Sequence, residues 1–90
     1  MKRRDRLEII YTILHIVQEH QNSMRPTPLL RKANISSQSF YEYLSDLKAK
    51  GFLREIDDRK GHKYVTLTDK GFKYLEKYGL IRGFIEEFEL

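Results

Sequence analysis

The side chains best placed to do chemistry at a surface are Ser36, Ser37, Gln38 and Tyr41, in the run NISSQSFYEYLSDLKAKGFL from Asn34 to Leu53. Their hydroxyls and amide donate and accept hydrogen bonds. The amides exposed in a first helical turn favour an anion. Residues that would break bonds are harder to find. His15 and His20 are five apart, a spacing that does not stack two rings on one helix face for a metal. His62 falls in a polar turn. Asp57 and Asp58 are neighbours, but a catalytic carboxylate pair needs a cleft, which the end of a hairpin rarely supplies. No serine has the setting of a nucleophile, and the glycines form no phosphate loop. The chain has no cysteine, which excludes a disulfide framework and any cysteine-ligated metal and fits an intracellular protein. The expectation is no catalytic residue, no metal, no cofactor and no small-molecule ligand.

The elements that must position these residues follow from hydrophobic spacing. From Asp5 to His20, apolar residues recur at Leu7, Ile10, Leu14 and Val17, which is helical. Ile9, Ile13 and Ile16 form a second stripe, so this helix is expected to be covered on two sides. QNSMRPTP breaks it. Thr27 followed by Pro28 reads as a helix start, with a capping hydroxyl and proline at the first helical position. A short second helix, PLLRKA, is followed by a tight turn at NIS. Ser36 caps a third helix, 36–50, which Gly51 stops. FLREID and KYVTLT then alternate like strands around the polar turn DDRKGH, a hairpin with a basic tip. Thr68 and Asp69 cap a last helix. The predicted fold is mainly α with a small β-hairpin: helix, helix, helix, strand, strand, extended C-terminal helix. That is the order of a winged helix-turn-helix.

Ninety residues suit one modest core, with 40% of them hydrophobic and 33% charged. No apolar run approaches the roughly 20 residues of a membrane span. The start, MKRRDRLEII, lacks the apolar core of a signal peptide. Charge is uneven. Residues 1–82 carry 17 Lys and Arg against 10 Asp and Glu, a balance of +7, while residues 83–90 carry three Glu and no base, a balance of −3. A basic body points to a polyanion and the acidic end to some other task.

On the third helix Phe40, Tyr43, Leu44 and Leu47 share the face expected to anchor it. Gln38, Glu42, Ser45 and Ala49 lie opposite, flanked by Ser37, Tyr41 and Lys48. In a helix-turn-helix the start of this helix enters the major groove of duplex DNA. Small hydroxyls there permit close approach. Ser36 and Ser37 can donate to phosphate, Gln38 suits a bidentate pair with adenine, and Tyr41 can reach a phosphate or a thymine methyl. Glu42 would repel phosphate, so it must either accept from a cytosine amino group or pair with a neighbour. Serines are also common helix starts because they cap well, and capping is the expected role of Ser36. Arg59, Lys60, His62 and Lys63, on the 57–63 wing, are candidate backbone contacts, with Asp57 and Asp58 weakening their field. Lys2, Arg3 and Arg4 form either an arm along the DNA or a solvated terminus.

The last helix carries a second signal. Phe72 and Leu75 can close the domain core. Beyond them Tyr74, Tyr78, Ile81, Ile85 and Phe88 recur at alternating steps of four and three, a heptad seam, and Leu80 and Phe84 widen it. A lone domain has no place to bury that seam. The expected division is therefore 1–73, DNA-binding domain, and 74–90, a dimerisation helix with an interface of Tyr74, Tyr78, Ile81, Phe84, Ile85 and Phe88. The spare face of the first helix, Ile9, Ile13 and Ile16, would add to that surface. The competing arrangement bends the tail at Gly79 to cover the same face within one chain.

The pieces RDRLEIIYTIL, RKANIS, YLSDLKAKGFL, YVTLTDKG and FIEEFEL, in this order over nearly the whole chain, resemble the small archaeal winged-helix DNA-binding proteins. Members of that family dimerise through a C-terminal antiparallel coiled coil and include transcriptional regulators and chromatin-associated proteins. Gly79 and Gly83 depart from the pattern, since a long coiled-coil helix prefers better helix formers. The resemblance implies a homodimer on double-stranded DNA, a cytoplasmic, nucleoid-associated location and no membrane. Two other readings stand beside a sequence-preferring transcriptional regulator. One is an architectural chromatin protein that touches only the DNA backbone, and the other is a winged-helix module that binds proteins.

Overall fold

Among the described residues, three of the four helices open on a side chain that meets an unpaired first-turn amide. In the computed structural model, which describes residues 5–90, the elements are α1 (Arg6–Glu19), α2 (Pro26–Ala33), α3 (Ser37–Ala49), β1 (Leu53–Asp57), β2 (Lys63–Leu67) and α4 (Asp69–Glu87). Asp5 caps α1 by accepting from the Glu8 amide. Ser36 caps α3 through the Ser39 amide, and Thr68 caps α4 through the Gly71 amide. The second helix starts earlier than its sequence suggests. Pro26, not Pro28, occupies the first helical position, Arg25 precedes it, and no side chain caps it. Thr27 is therefore inside the helix. Two prolines in the first turn fit because neither removes an intrahelical bond there.

Between α2 and α3 the chain turns at Asn34, in the left-handed conformation at φ 56°. The hairpin is antiparallel, Leu53 pairing with Leu67 and Asp57 with Lys63. A short third rung was not legible in sequence: Met24 bridges to Val65 through two backbone bonds, at 2.9 and 3.3 Å. Asn22 extends that edge, its side-chain oxygen accepting from the Leu67 amide at 2.7 Å. The segment read as a simple break between helices thus ties the wing to the end of α1.

The core joins Ile10, Ile13, Leu14 and Val17 of α1 to Leu29 and Ala33 of α2, Phe40, Leu44 and Leu47 of α3, Leu53, Val65 and Leu67 of the hairpin, and Leu75 of α4. Two expectations need correction here. Ile13 is wholly buried in the domain's own core, so it offers no spare face, while Ile9 and Ile16 only partly pack against that core. Phe72 does not close the core. It is exposed, and buried Gly71 takes the close position instead. A Cβ on Gly71 would stand 2.4 Å from the Phe52 carbonyl oxygen and 3.0 Å from Leu67 Cδ2. Only glycine lets α4 approach the hairpin this closely.

The helix α4 runs unbroken through Gly79 and Gly83, and past Leu75 none of its residues is buried. The division expected at 73/74 falls inside this one helix. Among the described residues, no helix is long and apolar enough to cross a membrane.

Candidate nucleic-acid interface

Burial of Phe40, Leu44 and Leu47 fixes the rotation of α3 and thereby its outer face. That face presents Ser37, Gln38, Tyr41, Glu42, Ser45 and Ala49, all exposed. Gln38, Tyr41, Glu42, Ser45, Asp46 and Ala49 line one shallow hollow. The Tyr41 ring packs edge-on against buried Phe40, at 5.1 Å between centroids, and remains exposed. Glu42 makes no ion pair with a described residue, so of its two readings the one that pairs it with a neighbour finds no partner among the described residues. Ser36 lends its hydroxyl to the Ser39 amide, 3.2 Å away, as a cap does.

Two carboxylates brace this helix against its surroundings, and spacing alone pointed to neither. Asp46 takes Arg6 from α1 and Lys50 from its own helix. Burial works to raise its pKa, yet the bonds and charge of Lys50 and Arg6 outweigh it and hold the carboxyl below the usual range. Glu55 on β1 receives Lys48 of α3 at 3.1 Å and Lys63 of β2 at 3.7 Å. The Lys48 bond is the main reason that its pKa is lowered. Partial burial opposes the shift, and the charges of Lys48 and Lys63 add to it. Two cations expected to face a polyanion, one from the helix and one from the wing, thus share one carboxylate.

The wing tip is built by Asp58. Its side chain accepts from the amides of Lys60 at 2.8 Å and His62 at 2.9 Å, and the His62 ring lies 3.2 Å from its second oxygen. The amide bond from His62 is the main reason its pKa is lowered; burial opposes the shift, and the Lys60 amide and the His62 ring add to it. Gly61, at φ 80°, closes the turn. Asp58 is thus a structural residue of the turn as well as a negative charge beside the basic tip. Arg59 and Lys60 remain exposed and make no ion pair among the described residues. Arg31 and Lys32, exposed in the last turn of α2, are further cations that sequence reasoning passed over. They lie just before the Asn34 turn into α3. Lys2, Arg3 and Arg4 lie outside the described residues.

The residues of the expected seam on α4 divide into two groups. Tyr74 donates to the Leu7 carbonyl at 2.6 Å and packs against Phe52. Tyr78 packs on Tyr11, 5.3 Å away, and Arg82 lies over the Tyr11 ring. Burial, with the nearby Tyr78 and Asp5, pushes the Tyr74 hydroxyl up to about 12. These two tyrosines therefore contact α1 of their own chain. Ile85 is half-buried, whereas Ile81, Phe84 and Phe88 are exposed, as are Leu80 and Leu90. Among the described residues, no group of His, Cys, Asp and Glu could hold a metal ion.

A family model described as "Winged helix-turn-helix" matches residues 3–86. Among curated proteins the chain is 39% identical over 49 residues to riboflavin kinase of Pyrococcus furiosus, which spans 54% of this chain but only 23% of the kinase. The structure is similar to that of the transcriptional regulator PcaV of Streptomyces coelicolor, with a TM-score of 0.76 at 18% identity. That match covers 90% of this chain and 58% of PcaV, so the chain spans less than two thirds of that regulator. Two smaller proteins match over most of both chains. One is F93 from STIV, a winged-helix DNA-binding protein, with a TM-score of 0.68 at 26% identity, covering 83% of this chain and 85% of F93. The other is Sso10a-2, a DNA-binding protein from Sulfolobus solfataricus, with a TM-score of 0.71 at 22% identity, covering 96% and 90%.

Proposed function

The chain belongs to the winged helix-turn-helix family, and from that premise we propose that it is a homodimeric DNA-binding transcriptional regulator. In this reading α3 enters the major groove, the 57–63 wing touches the backbone, and α4 pairs with its copy. One observation carries it. The exposed face of α3 is polar and presents Gln38, Glu42 and Ser45 with no hydrogen bond or ion pair to any described residue. These are donors and acceptors of the kind that read base edges. The cations around that face, Lys48, Arg59, Lys60 and Lys63, suit phosphates on either side of a groove, and phosphate contact fixes register while base contact specifies sequence. The likeness to F93 and Sso10a-2, two proteins described as DNA-binding, supports the same partner. The chemistry is recognition without catalysis. The short match to the kinase covers too little of that enzyme to carry its activity here.

Selection of bound duplexes from a randomised pool tests the reading. An enriched sequence is expected, and Gln38→Ala with Tyr41→Ala should flatten the enrichment while leaving non-specific affinity nearly unchanged. Binding that shows no enrichment in the wild type favours the architectural alternative. No binding to any duplex at low salt favours a protein-interaction module.

A further inference from the structure

The carboxylates on and beside α3 are unequally treated. The helix carries two acids, Glu42 and Asp46. Asp46 is held by Arg6 of α1 and, at 3.2 Å, by Lys50. Glu55, on the adjoining strand, is held by Lys48 and Lys63. Glu42 is exposed and makes no hydrogen bond or ion pair among the described residues. It stands in the shallow hollow of the outer face with Gln38, Tyr41, Ser45 and Ala49. We propose that Glu42 is a specificity-determining residue that accepts from the amino group of a cytosine, and that a methyl group on that amino nitrogen excludes the duplex. This deepens the DNA-binding reading above and rests on it.

An unpaired carboxylate turned towards a polyanion opposes every duplex alike, because phosphate oxygens repel it and offer it no donor. A base edge that supplies an N–H offsets that cost. In the major groove two bases do so, cytosine at N4 and adenine at N6. Adenine sets its N7 acceptor beside N6, so the second carboxylate oxygen meets a lone pair there. Cytosine has only a C–H beside its amino group on that edge, and it is the base that accommodates a carboxylate. Gln38 suits the other donor base, since its amide offers adenine both a donor and an acceptor. Gln38 and Glu42 are one turn apart on one face, about 6 Å along the helix axis. The bases they read therefore lie roughly one or two steps apart, at about 3.4 Å a step. Ser45 and Ala49 are small and leave the carboxylate room to approach. When cytosine carries a methyl on N4, its remaining N–H pairs with guanine and the methyl lies in the major groove. The donor that Glu42 needs is then gone, and a methyl group stands in its place.

Selection of bound duplexes with the intact wild type and with Glu42→Ala, followed by anisotropy titrations on the selected site, tests this. The wild type is expected to enrich a cytosine whose preference disappears in Glu42→Ala. N4-methylation of that one cytosine should weaken wild-type binding at least about fivefold, the scale of one lost base contact. The same methylation should leave Glu42→Ala unaffected. Glu42→Ala should also bind a random duplex a fewfold tighter than the wild type at low salt, because the opposing charge is gone. Glu42→Gln should move the preference at that position towards adenine. Circular dichroism on each variant confirms the fold. A cytosine preference that survives Glu42→Ala, or an N4-methyl group that the wild type tolerates, overturns the assignment. A wild type that enriches no sequence overturns the regulator reading itself. That result is distinct, because it appears before any variant is compared.

Discussion

Removing the charge of Glu55 should tighten DNA binding. Glu55 lies on the exposed side of β1 and holds Lys48 of α3 at 3.1 Å and Lys63 of β2 at 3.7 Å. In Glu55→Gln both lysines keep a polar neighbour but lose the carboxylate that neutralises them. A unit charge about 8 Å from a phosphate in water contributes roughly 0.5 kcal/mol. Two or three phosphates in reach, thinned by screening over a Debye length of about 8–10 Å, bring the gain to about 1 kcal/mol. That corresponds to a roughly fivefold gain in affinity at low salt. The cost to folding is small, because exposed ion pairs contribute about 0–1 kcal/mol. Fluorescence anisotropy on one labelled duplex, wild type beside variant, measures the gain. It should shrink as salt rises, and the variant's plot of log affinity against log salt should be steeper, by up to about 0.9 for each additional phosphate neutralised. If Glu55→Gln binds no better than the wild type at low salt, Lys48 and Lys63 do not face phosphate, and the helix-plus-wing surface is wrongly placed.

Other perturbations separate the parts. Arg59→Ala with Lys60→Ala should weaken every duplex alike and reduce the salt slope by up to about one per lost phosphate contact, read from the same titration. Gly71→Ala should destabilise by about 1–3 kcal/mol in urea denaturation, since a methyl group 2.4 Å from the Phe52 carbonyl must push α4 off the hairpin. Ile81→Asp with Ile85→Asp should give a folded monomer in sedimentation, with much weaker DNA binding. Acid should destabilise the fold in a defined window. The carboxyls of Glu55 and Asp46 are held below 4.5 and 3.8, so their contribution is present above those values. It is lost as the pH falls through the lowered folded-state pKa, because the unfolded chain takes up its protons first. Thermal melts from pH 5 to pH 3 should show that loss, and Glu55→Gln should show less of it.

Much of the fold was legible because period and punctuation agree in this chain. Ser36, Gly51 and Thr68 act as the caps and stop that their types imply. The anchoring face of α3 was legible for the same reason, since Phe40, Leu44 and Leu47 leave a single rotation. What escaped was non-local. Thr27 has the chemistry of a cap, yet Pro26 started the helix first. Gly71 looks like an ordinary weak helix residue until the hairpin approaches it. Phe72 was mistaken for a core residue because spacing cannot tell which side of α4 the hairpin will take. Glu55, Asp46 and Asp58 became visible as braces only once strand register and helix packing had brought their cations and amides to them. The seam on α4 was legible as an apolar pattern. Its division into tyrosines held by α1 and bare Ile81, Phe84 and Phe88 follows from a contact that joins residues some 70 apart in the chain, Leu7 and Tyr74.

The most direct measurement is the anisotropy of a labelled duplex titrated with the wild-type protein at several salt concentrations. A basic body of +7 over residues 1–82, with free cations on the wing and beside α3, requires tight binding at low salt and affinity that falls steeply as salt rises. Binding that is absent at low salt, or that salt leaves unchanged, contradicts a DNA-binding role for this surface.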